Sequence, residues 1–261
     1  MKRIFVIFIF ITTLLLINKS DIYGAAPSID IKNASKGYVS VKASKDMVVQ
    51  ISNGTEKYNY TLTNSETTDL PLQLGSGVYK ILVLQKVGAN KYTASATKSV
   101  TIDDIGNDVY LNSIQLINFD EDMISIEELT DVVDKGKTDS DKASLLYDYV
   151  VEELSYDYDK AKSLATATNY LPVLDNTYNN KKGICYDISS LIAGVLRSND
   201  IPTKLVMGYT PNVSTYHAWN EIYYDGEWHV VDATYDIGAI KAKKSVAMVK
   251  SDDDYSVSKN Y

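Results

Sequence analysis

The spacing of apolar positions changes twice along the chain, and each change marks a different kind of structure. Residues 4–17 are apolar apart from Thr12 and Thr13. From 28 to 102 the period is close to two. Residues 38–43 and 58–62 alternate, and 48–51 run into Asn53-Gly54, a hairpin-turn dipeptide. Residues 71–74 lead through Gly75-Ser76-Gly77 to 78–84, and Gly88-Ala89-Asn90 precedes 92–101. Short strands with this punctuation predict a small all-β sandwich, immunoglobulin-like in architecture, although no Cys-Trp-Cys signature accompanies it.

The polar stretch 103–108 breaks this pattern, and beyond it the period becomes three to four. Ser125 and Glu128 form a capping box ahead of Leu129, Val132 and Val133. Thr138 or Asp139 caps a second helix with the stripe Leu145, Leu146, Tyr149, Val150 and Leu154. A third helix starts at Ile184 or Cys185 and carries Ile188, Leu191, Ile192, Val195 and Leu196. Asn199 serves as its left-handed stop, and Pro202 forbids continuation. Residues 204–209, 217–224 and 227–232 read as strands. Helices followed by antiparallel strands predict an α+β unit. The expected organisation is therefore a leader at 1–26, a β-sandwich at 27–104 and an α+β unit at 105–261.

The leader reads as a secretion signal. Lys2 and Arg3 precede the apolar run, and small residues Gly24, Ala25 and Ala26 follow it, with cleavage expected after Gly24 or Ala25. The run is shorter than the roughly 20 residues that span a bilayer, so export without stable membrane insertion is expected. The 45% hydrophobic and 23% charged residues fit a globular chain. A net charge of -8 argues against a nucleic-acid partner. The polar end, 251–261, with Asp252-Asp253-Asp254, reads as a solvated surface turn rather than a calcium site.

An exported chain with one cysteine cannot close an internal disulfide, so the thiol of Cys185 calls for another reason. At a helix start, backbone amides and the helix dipole favour thiolate and can hold an oxyanion. Gly183 lets the backbone approach a substrate. Two histidines follow. If Asp225-Gly226 is a two-residue hairpin turn, His217 and Asp232 become diagonal neighbours on one face. His229 lies three residues before Asp232 on one strand and points to the other face, so it is a bystander. Cys185 as nucleophile, His217 as base and Asp232 as orienter make a thiol triad. Tyr178, Asn179 and Asn180 are candidates for the second oxyanion donor, and Trp219 and Trp228 for walls of the hairpin. One cysteine and two histidines at these spacings match no zinc template, and no cofactor is implied.

These residues carry a resemblance. Gly183-Ile184-Cys185-Tyr186, then 196–204 with Ile201-Pro202, Gly208-Tyr209, His217-Ala218-Trp219-Asn220-Glu221 and Trp228-His229-Val230-Val231-Asp232-Ala233-Thr234 resemble the bacterial transglutaminase-like superfamily over about 124–235. The resemblance implies a papain-like core with the nucleophile at a helix start and its partners on adjacent strands. It carries the three roles onto Cys185, His217 and Asp232 and implies a thioester acyl-enzyme without fixing whether an amine or water resolves it; acyl transfer on a protein glutamine or peptide amide is the first reading. Hydrolysis by a cysteine peptidase or amidase is the alternative, and a non-catalytic surface-binding protein the third reading. The expected partner is a protein or peptide at a cell surface or cell wall. Calcium dependence is not implied.

Overall fold

A computed structural model describes residues 26–89, 91–167 and 169–261. The expected leader lies outside them except for Ala26. Among the described residues, no helix is long and apolar enough to cross a membrane.

The N-terminal strands are β1 (Ser28–Asp30), β2 (Tyr38–Lys42), β3 (Val48–Asn53), β4 (Glu56–Thr61), β5 (Thr67–Pro71), β6 (Gly77–Gly88) and β7 (Lys91–Ile102). They form two antiparallel sheets, ordered β1-β2-β5 and β4-β3-β6-β7. Alternation explains the packing. Val39 and Val41 of β2 point inward, as do Val49 and Ile51 of β3, while their polar neighbours face out. The two inner faces share one buried cluster, which makes a sandwich. The β3–β4 turn is Gly54-Thr55, one residue later than expected. Asn53 stays in the strand opposite Glu56 because its side-chain amide donates to the carbonyls of Leu74 and Ser76 at 3.0 and 2.9 Å.

The polar stretch after β7 breaks the pattern of the sequence but not the core. Ile114, Leu116 and Ile117 continue the sandwich cluster into Ala193, Leu205, Ala218 and Tyr261.

The remaining elements are α1 (Ile124–Val133), α2 (Asp139–Glu153), β8 (Ser155–Tyr156), α3 (Tyr158–Ser163), α4 (Leu174–Asn180), β9 (Lys182–Gly183), α5 (Cys185–Ser198), β10 (Thr203–Thr210), β11 (Val213–Tyr224), β12 (Glu227–Val231), α6 (Ala233–Lys241) and β13 (Ser256–Asn260). The fold is mixed α+β, with N-terminal strands ahead of an α+β core. Four antiparallel strands, ordered β12-β11-β10-β13, form the sheet against which α5 lies. Asn220 of β11 pins helix to sheet by donating to Ser189 O at 2.9 Å and Lys204 O at 3.1 Å. Ile188, Leu191, Val195 and Leu196 of α5 are fully buried, the stripe that its spacing predicts. Arg197, also buried, donates to the carbonyls of Thr203, Asn112 and Tyr261 at 2.7–2.8 Å, joining three segments. Burial pushes its guanidinium down to about 9.

Several local expectations change. Ser125 does not cap α1. The helix begins at Ile124, Ser125 is buried, and Asp175 of α4 accepts its amide at 2.8 Å. Thr138 does cap α2, in a reciprocal box with Asp141. The buried face of α2 is rotated toward Tyr147 and Val151, because the Tyr147 hydroxyl donates to the buried Asp236 at 2.8 Å. The left-handed residue after α5 is Asp200 (φ 60°), not Asn199. Asp252, Asp253 and Asp254 are exposed as expected, but the tail beyond them is no free turn: it pairs with β10 as β13.

Candidate active site

Cys185 is the first residue of α5, so its amide belongs to the helix's unpaired N-terminal set. The helix start is fixed from behind. β9 pairs in parallel with β8, setting Tyr156 opposite Gly183, and Asp157 N donates to Gly183 O at 2.9 Å. Asp187 closes the first turn by accepting the Ile184 amide at 2.9 Å. It is completely buried, paired with Lys160 at 2.7 Å and bonded by the Tyr170 hydroxyl. This carboxylate therefore latches α3 and the segment after it to the nucleophile's helix. Gly183 serves the same contact: a Cβ there would lie 2.8 Å from Asp187 Cβ and 3.1 Å from Thr177 Cγ2.

The hairpin β11–β12 forms on the expected turn. Asp225 and Gly226 both have positive φ, and Tyr224 pairs with Glu227. The register carries Asn220 opposite Val231, which sets His217 and Asp232 diagonally at the sheet's end. His217 Nε2 lies 3.0 and 2.9 Å from the two Asp232 carboxylate oxygens. That leaves Nδ1 free of Asp232, and Cys185, which lines the same cavity, lies close enough to help hold the ring's proton. Burial pulls the imidazole down, but the bonds to Asp232 and Cys185 and their charges outweigh it and carry it up to about 9. The ring stacks on the fully buried Trp219, centroids 6.3 Å apart.

Asp232 is completely buried and fully employed. Besides His217 it accepts the Tyr235 amide at 3.0 Å, capping α6, and the Tyr255 hydroxyl at 3.0 Å. His229 is elsewhere, opposite Ile222, stacked on Tyr224 with centroids 3.8 Å apart. Trp228 lies on the outer hairpin face against Tyr110, Tyr223 and the Lys204 ammonium, so only Trp219 of the two tryptophans borders the histidine.

Cys185 and His217 open on a cavity of about 650 Å³ between α3 and α6. Tyr178, Asn179 and Asn180 do not line it. Tyr178 stacks on Tyr149, and Asn180 donates back to Asn176 O. Tyr156 does line it. Burial first, and then the neighbouring Cys185 charge, raise its phenol to about 12, so it stays a donor at neutral pH. Neither Tyr156 nor Tyr255, which lies in the polar end 251–261, was singled out from the sequence. The available signal for Tyr156 was its place at the start of Tyr156-Asp157-Tyr158-Asp159; for Tyr255 there was none.

Among curated proteins, none matches the sequence. Among solved structures, a TGase shares 25% identity with a TM-score of 0.36, over 42% of this chain and 31% of its own. The chain thus spans less than a third of that protein. The periplasmic domain of TgpA from Pseudomonas aeruginosa matches at 14% identity and a TM-score of 0.40, over 78% of this chain and 71% of its own. Red sea bream transglutaminase matches at 12% and 0.33, over 76% and 48%. Residues 127–233, which contain Cys185, His217 and Asp232, match the model of the transglutaminase-like superfamily, the family this segment is similar to.

Proposed function

We propose that the protein is an exported thiol acyltransferase acting on a protein glutamine or peptide amide. The observation that carries this reading is that Cys185, at a helix start, and His217, held by the buried Asp232, line one cavity. Cys185 Sγ attacks the amide carbonyl carbon while His217 holds the thiol proton. The carbonyl electrons move to oxygen, where the Cys185 amide and the Tyr156 hydroxyl receive the negative charge. As the C–N bond breaks, His217 gives its proton to the leaving nitrogen, and a thioester remains. A primary amine then attacks the thioester, loses its proton to His217, and releases Cys185. Asp232 holds the imidazole in one tautomer and favours its cationic form throughout. Water in the amine's place gives hydrolysis. Export rests on Lys2, Arg3 and the apolar run at 4–17.

Incubation with casein and a fluorescent primary amine tests the reaction. Covalent fluorescence that disappears in Cys185→Ala supports transfer. New peptide termini without label would assign the protein to hydrolysis instead. Silence in both, with Cys185 no more reactive than free cysteine, would leave only a binding scaffold.

A further inference from the structure

Gly238 sits inside α6, where glycine is a poor choice: it raises the entropy lost on folding and contributes no packing. Most of the other described glycines have a local reason: several hold a positive φ, and others touch a neighbour so closely that a Cβ would collide, Gly88 at the end of β6 being the exception. Among the described glycines without a left-handed φ, Gly238 alone would carry a Cβ that meets no atom within 4 Å. Neither conformation nor crowding demands it. What an added side chain there would fill is the cavity shared by Cys185 and His217.

The facing wall repeats the economy. Ala161 of α3, and Ala165 just beyond it, line the same cavity one helical turn apart. Among the described residues, no Asp, Glu, Lys or Arg lines it, in a chain with 60 such residues (26 Lys and Arg, 34 Asp and Glu). Leu164, Val213, Tyr216 and Tyr235 add to a mainly apolar surround, in which Thr215 and Thr234 bring the hydroxyls. A carboxylate entering this space would shed its water and meet only the His217 ring, whose charge Asp232 already matches, whereas an aromatic or branched aliphatic group would gain burial.

We propose that Gly238 is a specificity-determining position, which with Ala161 and Ala165 keeps the Cys185 cleft open to a bulky, uncharged apolar group flanking the reacting carbonyl of the acyl donor. This deepens the acyl-transfer reading and rests on it for the word donor, but the shape preference belongs to the cleft itself and can be read without turnover.

The test compares alkylation of Cys185 by iodoacetamide, N-benzyl iodoacetamide and N-(4-carboxybenzyl) iodoacetamide in the full chain. In each reaction an S–C bond forms, iodide leaves, and the thiol proton passes to His217 or buffer. The benzyl reagent should react at least tenfold faster than iodoacetamide, and the carboxybenzyl reagent should lose that advantage. Gly238→Leu should cut the benzyl-to-parent ratio at least tenfold. Gly238→Ala should reduce it less while raising the melting temperature, which a structural role for this glycine would not permit. Equal benzyl and parent rates in the wild type, or no effect of the carboxylate, overturn the proposal even if Gly238→Leu fails to fold. An unchanged ratio in folded Gly238→Leu also overturns it. If these ratios hold while casein takes up no amine, the cleft's preference stands and the acyl-transfer reading falls.

Discussion

Tyr255 donates its hydroxyl to Asp232 at 3.0 Å, bringing the C-terminal tail into the centre of the site across 23 residues of chain. Asp232 in turn holds His217 with both oxygens. The tail thus positions the orienting carboxylate, and it does so through a phenol kept protonated by burial and by the carboxylate's own charge.

Removing that donor should therefore be felt at the sulfur. Tyr255→Phe keeps the ring's edge contact with Trp219, centroids 5.0 Å apart, and deletes only the bond to a charged acceptor. The expected loss of stability is about 1.5–3 kcal/mol by denaturant unfolding. Alkylation of Cys185 should slow about tenfold, less than the roughly hundredfold that a 1 Å misplacement of a reacting group costs. A normal alkylation rate in Tyr255→Phe would show that Asp232 needs no third partner.

The pH dependence follows from His217. Its folded-state value of about 9 lies above the ordinary 6.5, so folding favours the protonated ring. The stability this contributes is fully present below about 6.5 and is lost as pH rises through about 9. Catalysis should share that alkaline limit, because the leaving nitrogen takes its proton from the imidazolium. Asp232→Asn removes the charge that helps raise the ring, so the alkaline limb of kcat/KM should move toward neutrality. A limb that stays near 9 in Asp232→Asn would assign the titration to another group.

Tyr156→Phe separates binding from catalysis. Tyr156 lines the cavity from a strand fixed against the residue two places before Cys185. Loss of one oxyanion donor typically lowers kcat about 10²–10³-fold. The variant should show that fall with KM nearly unchanged, and with Cys185 alkylation intact, since alkylation forms no oxyanion. A KM effect without a kcat effect would make Tyr156 a wall of the cleft and nothing more.

What could be read from the chain divides along a physical line. Cys185, His217 and Asp232 were legible because each is tied to a strong local signal: the apolar stripe of α5, and a two-residue turn whose register leaves little freedom. Elements held by tertiary pairing were not. β13 carries one apolar residue, Val257, and that residue is exposed, so nothing in its pattern announces a strand; backbone bonds to β10 hold it. α3 has no buried residue, and Asp187 ties it down through Lys160, a contact across the fold. α6 follows Asp232 directly, and its start is set by the same carboxylate that holds His217, so reading Asp232 as a strand residue concealed the helix. Asn220, within the motif that carries the resemblance, joins α5 to the sheet rather than serving the reaction.

The tail's role also predicts which glycine the site cannot lose. Gly208 pairs with His217 across β10–β11, and on its other edge β13 shifts register between Met207 and Gly208. A Cβ at 208 would lie 2.0 Å from the backbone oxygen of Ser256 and 2.9 Å from the Trp219 ring. Backbone cannot swing aside as a side-chain end can, so Gly208→Ala must push β13 away, and Tyr255 precedes Ser256 by one residue. The expected result is an overpacking loss of about 1–3 kcal/mol or more. Slowed Cys185 alkylation at least as large as in Tyr255→Phe should accompany it. The double variant Gly208→Ala/Tyr255→Phe should then slow alkylation by less than the product of the two single effects, because both act through one bond. Independent, multiplying effects would separate the tail's displacement from the loss of the Asp232 contact.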